Sequence, residues 1–460
     1  MPLESFEGTL AQRVVAPPRI AADVRLRARS HFIDTLGVML AGAREHSVKA
    51  LVAGANECQT IGKSVRSVVS AKPMSARDAA LCNAVAGHAH DFDDDEPHMI
   101  VGHPSIAVVA ALLATAGHAR VPFAAVLDAY AVGTETMLRL GSLVNPRHYS
   151  AGWHCTASLG AFGAAAACAH VLSISPRDAA NALNIAATFA GGLRENFGTD
   201  GKPLQVGVAA ANGLWACELA LSGIRGADRA ISGRQGFLAM NHGRDGVEAL
   251  DGFGRPWGLE SPGFNVKVYP CCSSTHTALD GLLELLAETA LPAADIESID
   301  VWMGEDVPGI LIHDVPRMGL EGKFSMRYCM AYAALHREVG ISAFTDAAVQ
   351  EPRLQAMMER VCIHIDPTLP RAATGVTHCT RVQLTSRNGA RVQRSHSAPF
   401  GSAERLCSKD QLQRKFLDCV AYGLDAQAAL QIWAGIDAIS ERDPASDLLE
   451  VVHGSTEQRP

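Results

Sequence analysis

Two stretches built almost wholly from small residues, TASLGAFGAAAACAHVL (156–172) and VGVAAANGLWACELAL (206–221), do most to limit the fold. Side chains this small let helix backbones approach closely, so both segments read as central helices of a large bundle or as helices lining a subunit interface. Hydrophobic residues fill 48% of the 460 positions but aromatics only 5%, so the core must be made of Ala, Leu, Val and Ile. That composition suits packed helices better than sandwiches. The length exceeds what one core can fill and predicts two domains or three.

Helix follows helix from about 20 to 265. IAADVRLRARSHFIDTLGVMLAGA (20–43) has helical apolar spacing, and Ser75-Ala76-Arg77-Asp78 and Ser175-Pro176-Arg177-Asp178 read as capping boxes that start two more helices. The character changes near 265. A helix (STHTALDGLLELLAETA), a short alternating run (SIDVWMG), a second helix (KFSMRYCMAYAAL) and a strand (RVCIHID) lead to RVQLTSRNGARVQRSHS, where Asn388-Gly389 joins two alternating arms as a hairpin. After Phe400 the chain turns helical again behind Ser408-Lys409-Asp410-Gln411, and its ending, EVVHGSTEQRP, is expected to fray. The predicted class is therefore mainly α: a large all-helical domain from residues 1–267 and 399–460, with a smaller α+β domain, 268–398, inserted in it.

Several function classes drop out. The net charge of -8 and the lack of any basic run argue against nucleic acid. The first residues join no basic segment to an apolar one, and no apolar run approaches bilayer length, so the expected setting is cytoplasmic and soluble, with no membrane partner. The twelve cysteines are scattered, without a CxxC, and read as reduced core residues, notably Cys82, Cys168 and Cys217.

The densest chemistry lies in HAHDFDDDEPHMIVGHPS (88–105), with four histidines, four aspartates and a glutamate. Asp91, Asp93 and Asp95 have calcium-loop spacing, but Glu96 stands where Gly is needed and Gly102 where the closing Glu should be. His88 and His90, two apart, point to different sides of a helix, which fails the zinc pattern. The expectation is no metal. His103 precedes Pro104 and Ser105 at a helix start, where the dipole favours an anion. A bland reading stands beside this one, with His103 as a cap and the carboxylates in water.

A second polar cluster, from His148 and Tyr149 to His154 and Thr156, precedes the first small-residue helix. Two lysines also stand in unusual settings: Lys202 between Gly201 and Pro203, and Lys267 within the apolar FNVKVYPCC. Either Lys267 snorkels to solvent from a strand, or both ammonium groups enter one cleft and hold a polycarboxylate.

Five segments in this order, GHAHDFDDDEPHMIVGHPS, HYSAGWHCTASLGAFGAAAA, LRENFGTDGKPLQVGVAAANG, FNVKVYPCCSSTHTALDG and LEGKFSMRYCMAYA, make the chain resemble the MmgE/PrpD family over nearly its whole length. Its members include 2-methylcitrate dehydratase, cis-aconitate decarboxylase and iminodisuccinate epimerase. The resemblance implies a helical domain carrying an inserted α+β domain, a homodimer, a small polycarboxylate substrate, no cofactor, and an active site between the domains. It maps that site to Asp91, His103, His154, Lys202 and Lys267, with Asp95, Tyr149 and Tyr328 as further substrate-contact candidates. It also implies proton removal next to a carboxylate, with His154 or Lys202 carrying the proton, Lys267 and His103 holding carboxylates, and Asp91 orienting a base.

The leading expectation is a cofactor-independent hydro-lyase on a small hydroxy di- or tricarboxylate. An epimerase of an iminodisuccinate-like acid, a decarboxylase of a cis-aconitate-like acid and a non-catalytic carboxylate-binding protein stand as alternatives. Three departures from the family pattern bear on the substrate: Asp95 where relatives carry a hydroxyl, a longer loop before His103, and Gln205 where relatives carry histidine. The HYSAGWH, LEGKFS and GHPS segments look closest to the epimerase branch. Apart from Asp91, Asp95 and His103, most acids and histidines of the 88–105 stretch are expected on the loop surface.

Overall fold

The computed structural model describes residues 4–57, 64–117, 120–243, 246–372 and 374–457. Helices dominate, and a four-stranded mixed sheet lies in the second half. The helices Ala76–Ala89, Ser105–Ala116, Phe123–Val144, Cys155–Val171 and Gly201–Leu221 pack on one another, and the small-residue stretches supply the closest contacts. A Cβ on Gly213 would stand 2.7 Å from the Ala161 carbonyl oxygen, and one on Gly133 2.7 Å from that of Gly163. Any side chain there would force the backbones apart. Every residue from Cys155 to Ala169 is buried, which makes that helix a bundle centre.

The helix starts follow the sequence with one refinement. Ser75 and Ser175 each accept the backbone N–H three residues on, Asp78 at 3.0 Å and Asp178 at 3.1 Å, but the aspartates bond back to the serine hydroxyls and not to the backbone. Aspartate is one methylene too short to reach the cap's own N–H. Gln411 is long enough, and only the Ser408 start closes both bonds of the box.

Three expectations for the helical part need correction. A short hairpin, Val65–Ser67 with Ser70–Met74, interrupts the helices where Val65 and Met74 turn inward. Beyond Leu221 the chain is mostly turns as far as Thr275, since ten glycines between 222 and 264 deny it helical persistence. The ending does not fray within the described residues: Asp447–Glu457 is helical, Val452 is buried, and His453 Nε2 lies 2.8 Å from the Ser67 carbonyl oxygen.

The sheet runs in the order Val361–Ile365, Ile296–Met303, Thr380–Ser386, Arg391–His396, with the first pair parallel and the others antiparallel. Ile299 and Val301 face inward against Val361, Val382 and Leu384, beneath the helices His276–Thr289 and Met326–His336. The hairpin loop is one residue longer than an Asn-Gly turn. Gly389 takes φ +85° and donates to the Ser386 carbonyl at 2.8 Å, while Asn388 Oδ1 accepts the Ala390 N–H at 3.0 Å. This is the three-residue loop with its left-handed glycine.

The helix Lys409–Gly423 returns to the helical body along Ala22–Gly42, so Phe416 and Val420 share a core with Phe32 and Leu36. The sheet and its helices keep a separate apolar core. Among the described residues one helix, Gly201–Leu221, is long and apolar enough to cross a membrane, contrary to the sequence reading. More than half of its apolar window is packed inside the protein.

Candidate active site

The Ala76–Ala89 helix ends at His90, and Asp91 takes φ +52°, turning the chain back under the helix end. That reversal sends the 88–105 stretch inward. Of its charged and imidazole side chains only His98 is exposed, so the expected loop surface is overturned. Each buried acid has found donors, as burial demands. Glu96 accepts the backbone N–H groups of His98, Met99 and Ile100 at 2.7, 2.9 and 2.8 Å. Asp94 takes the Ser105 hydroxyl at 2.5 Å and pairs with His31 at 2.8 Å, fastening the start of the Ser105–Ala116 helix. Asp93 lies 2.8 Å from His88 Nδ1, and His90 turns the other way toward Glu45, 3.4 Å distant.

Asp91 is the centre. One carboxylate oxygen accepts from the Lys202 ammonium, and the other lies 3.0 Å from that of Lys267, which also donates to the Asp91 carbonyl at 2.9 Å. His103 Nε2 stands 3.6 Å from Asp91, and His103 Nδ1 3.3 Å from Asp93. Lys202 sits in the first turn of its helix, its ammonium 5.4 and 5.5 Å from the rings of Phe197 and Phe324. Lys267 is 1% exposed, which disposes of the snorkelling alternative.

Burial alone would push the Asp91 carboxyl up, but Lys202 and Lys267 outweigh it and hold the group well below the usual carboxylate range. Lys267 is the mirror case: burial opposes its charge, and Asp91, Asp95 and Asp93 raise it regardless. Burial pushes His88, His103 and His154 well below 6.5, with Lys202 adding to each, so these imidazoles are neutral near pH 7.

These groups open on a small cavity between the two cores. Asp91, Asp95, His103, Tyr149, His154, Lys202 and Lys267 all line it, and the sheet unit contributes Ser273, Phe324 and His378. Asp95 is buried there, and burial pushes its carboxyl up to about 6. Tyr328 is the exception. Its hydroxyl donates to the Ala343 carbonyl inside the sheet unit's core, and it is not among the residues that line the cavity. The position follows from its place one turn into a helix whose apolar side faces the sheet.

The structure adds residues that sequence reading missed. Lys323, 2% exposed, donates to the His90 and Pro270 carbonyls at 2.9 and 3.0 Å, and burial lowers its ammonium to about 8. Its sequence signal was weaker than that of Lys267, since Glu321, Gly322 and Ser325 stand around it. Thr156, noted in the sequence only as the end of the second polar cluster, accepts the His103 backbone N–H at 3.0 Å and lines the cavity. His378 had no signal at all.

The fold also gathers atoms of His88, Asp91, Asp93 and His103 within 4.8 Å of one another, which local spacing did not foresee. A cation held there would share Asp91 with two ammonium groups already touching it. Both oxygens of Asp91 are already engaged by those ammonium groups.

The chain is 26% identical over 406 residues to cis-aconitate decarboxylase of Homo sapiens, covering 85% of this chain and 82% of the relative. It is 25% identical over 471 residues to a cis-aconitate decarboxylase-like protein of Aspergillus oryzae, 95% of each. A cis-aconitate decarboxylase of Aspergillus terreus is 25% identical over 472 residues, 95% of this chain and 93% of the relative. The MmgE/PrpD C-terminal domain matches residues 269–439, running past the sheet into the helices that follow it. With the MmgE/PrpD N-terminal domain matching residues 10–249 as well, the chain belongs to the MmgE/PrpD family.

Proposed function

We propose that this protein is a lyase that acts on a small di- or tricarboxylate, without an added cofactor, by removing a proton next to a carboxylate. One observation carries the reading: Lys202 and Lys267, 65 positions apart, meet across a single ionised carboxylate at the wall of a cavity that His103 and His154 also line. Lys202 and Lys267 put two ammonium groups at the cavity wall, where a substrate carboxylate can compete with Asp91 for one of them. Removing a proton beside a carboxylate adds charge to an anion, and preorganised cations and donors are what such a transition state needs. Asp95 favours dehydration of a hydroxy acid. A carboxyl pushed up to about 6 can give a proton to the departing hydroxyl near neutral pH, which an ordinary aspartate does poorly.

The relatives' activity supports a second reading, decarboxylation of a cis-aconitate-like acid. Incubation of the purified protein with hydroxy tricarboxylates, hydroxy dicarboxylates and cis-aconitate in deuterated water separates the cases. Loss of water gives the first, release of carbon dioxide the second, and solvent exchange with neither shows an epimerase. Binding without any of these leaves a carboxylate-binding protein.

The core shared by Phe416, Val420, Phe32 and Leu36 supports residues 268–398 as an insertion in the helical domain. A homodimer is proposed on the exposed Leu193, Leu204 and Val208 beside the cavity-forming helix, to be checked by light scattering.

A further inference from the structure

Gln205, where the family pattern has histidine, does not face the cavity. It sits one turn beyond Lys202 and holds His154 from behind. Its side-chain amide is fixed in orientation by a single backbone unit: Oε1 accepts the Leu193 N–H at 2.9 Å, and Nε2 donates to the Leu193 carbonyl at 3.1 Å. The reverse orientation would set donor against donor and acceptor against acceptor. The other hydrogen on Nε2 then points at His154 Nδ1, 2.6 Å away.

Leu193 is itself tied down. Its neighbour Gly192 accepts the His154 backbone N–H at 3.0 Å, and Leu193 bridges to Trp153. The support of the imidazole and its backbone are one assembly. Nδ1 receives a hydrogen and so cannot carry one, and a neutral ring must place its proton on Nε2. That nitrogen is buried, has no hydrogen-bond partner among the described residues, and belongs to a residue lining the cavity. Lys202 and Arg194 add positive charge nearby, with His88 packed beside the ring and Asp91 the opposing anion.

We propose that Gln205 is a positioning residue that locks His154 as a neutral Nε2–H donor aimed at the substrate, so that His154 hydrogen-bonds an anionic substrate oxygen and takes no proton from carbon. A neutral imidazole held this way polarises an oxygen without adding a second charge. This rests on the proposed proton chemistry at the site, and it removes His154 from the choice of proton carrier.

The test uses full-length protein with 15N-labelled histidine and three forms: unaltered, Gln205→Glu and Gln205→Met. In the unaltered protein, the His154 nitrogens should show Nε2 protonated and Nδ1 bare across neutral pH. Gln205→Glu should move the proton to Nδ1, cut kcat by roughly 10²-fold with a smaller change in KM, and bring a new ionisation into the pH profile. Gln205→Met should give a mixture of tautomers, an intermediate kcat and no new ionisation. A protonated Nδ1 in the unaltered protein overturns the lock. Full kcat in Gln205→Glu with the proton moved overturns the donor role. If the tautomer is as stated but no polycarboxylate is turned over, the proposed reaction falls while the lock stands.

Discussion

Lys267 and Lys415 reach neighbouring carbonyls of one loop and make matching contacts there. Lys267 pairs with Asp91 and donates to the Asp91 carbonyl, while Lys415 pairs with Asp34 at 2.8 Å and donates to the Phe92 carbonyl at 2.9 Å. Both lysines are buried, Lys267 in an apolar stretch of sequence and Lys415 in a polar one. The surroundings separate them. Asp91 has a second lysine and a cavity, and its carboxyl is held far below the usual range. Asp34 has one lysine and no place among the cavity-lining residues, and burial raises its carboxyl, with nearby Asp94 adding to the rise and Lys415 opposing it. A lone buried pair is a strut. A pair with a surplus cation beside an opening can receive an anion.

The comparison can be broken at its strongest point first. Lys202→Ala should lower turnover of a polycarboxylate by roughly 10²- to 10³-fold, while the circular dichroism spectrum is unchanged. Activity within threefold of the unaltered protein would remove the surplus-cation argument. Lys415→Met should do the opposite, costing about 3–5 kcal/mol of stability by stranding Asp34, with turnover per folded molecule nearly intact. Denaturant titration reads the loss, and adding Asp34→Asn should recover part of it.

The third test concerns Asp95. Its folded carboxyl holds a proton up to about 6, against an ordinary value of 3.8, so its contribution is full below pH 4 and is lost as pH rises to 6. Thermal melts should show Asp95→Asn flattening that decline, by an amount on the order of 2–3 kcal/mol. A pH dependence identical in the two forms would mean that Asp95 is ionised throughout. Smallest is Tyr328→Phe, expected to cost about 1–2 kcal/mol for the unmet Ala343 carbonyl, with kcat and KM unmoved. A rise in KM would return Tyr328 to the substrate.

Sequence alone led to the lysines because a cation between Val266 and Val268 is costly unless it is met, and ordered motifs tied it to Lys202, His103 and His154. It failed on Asp93, Asp94 and Glu96 because polar runs are ordinarily solvated. What buries these acids is distant: His31 from one helix, and the left-handed turn at Asp91, which no spacing rule announces. The hairpin between Val65 and Met74 was missed for a related reason, since strands of three and five residues leave little period to detect.

The position of Lys267 along the chain also imposes an order of assembly. Asp91 leaves the ribosome 176 residues before its second cation and Asp34 381 residues before Lys415. Until those lysines arrive, Asp91 has Lys202 alone and Asp34 has no ammonium partner to offset its loss of water. A nascent chain ending before Lys267 can gather its alanine-rich helices and give Asp93, Asp94 and Glu96 their partners, but it leaves Asp91 half met. The cavity is therefore a late product of synthesis, closed by contacts that join the second half of the protein to the first.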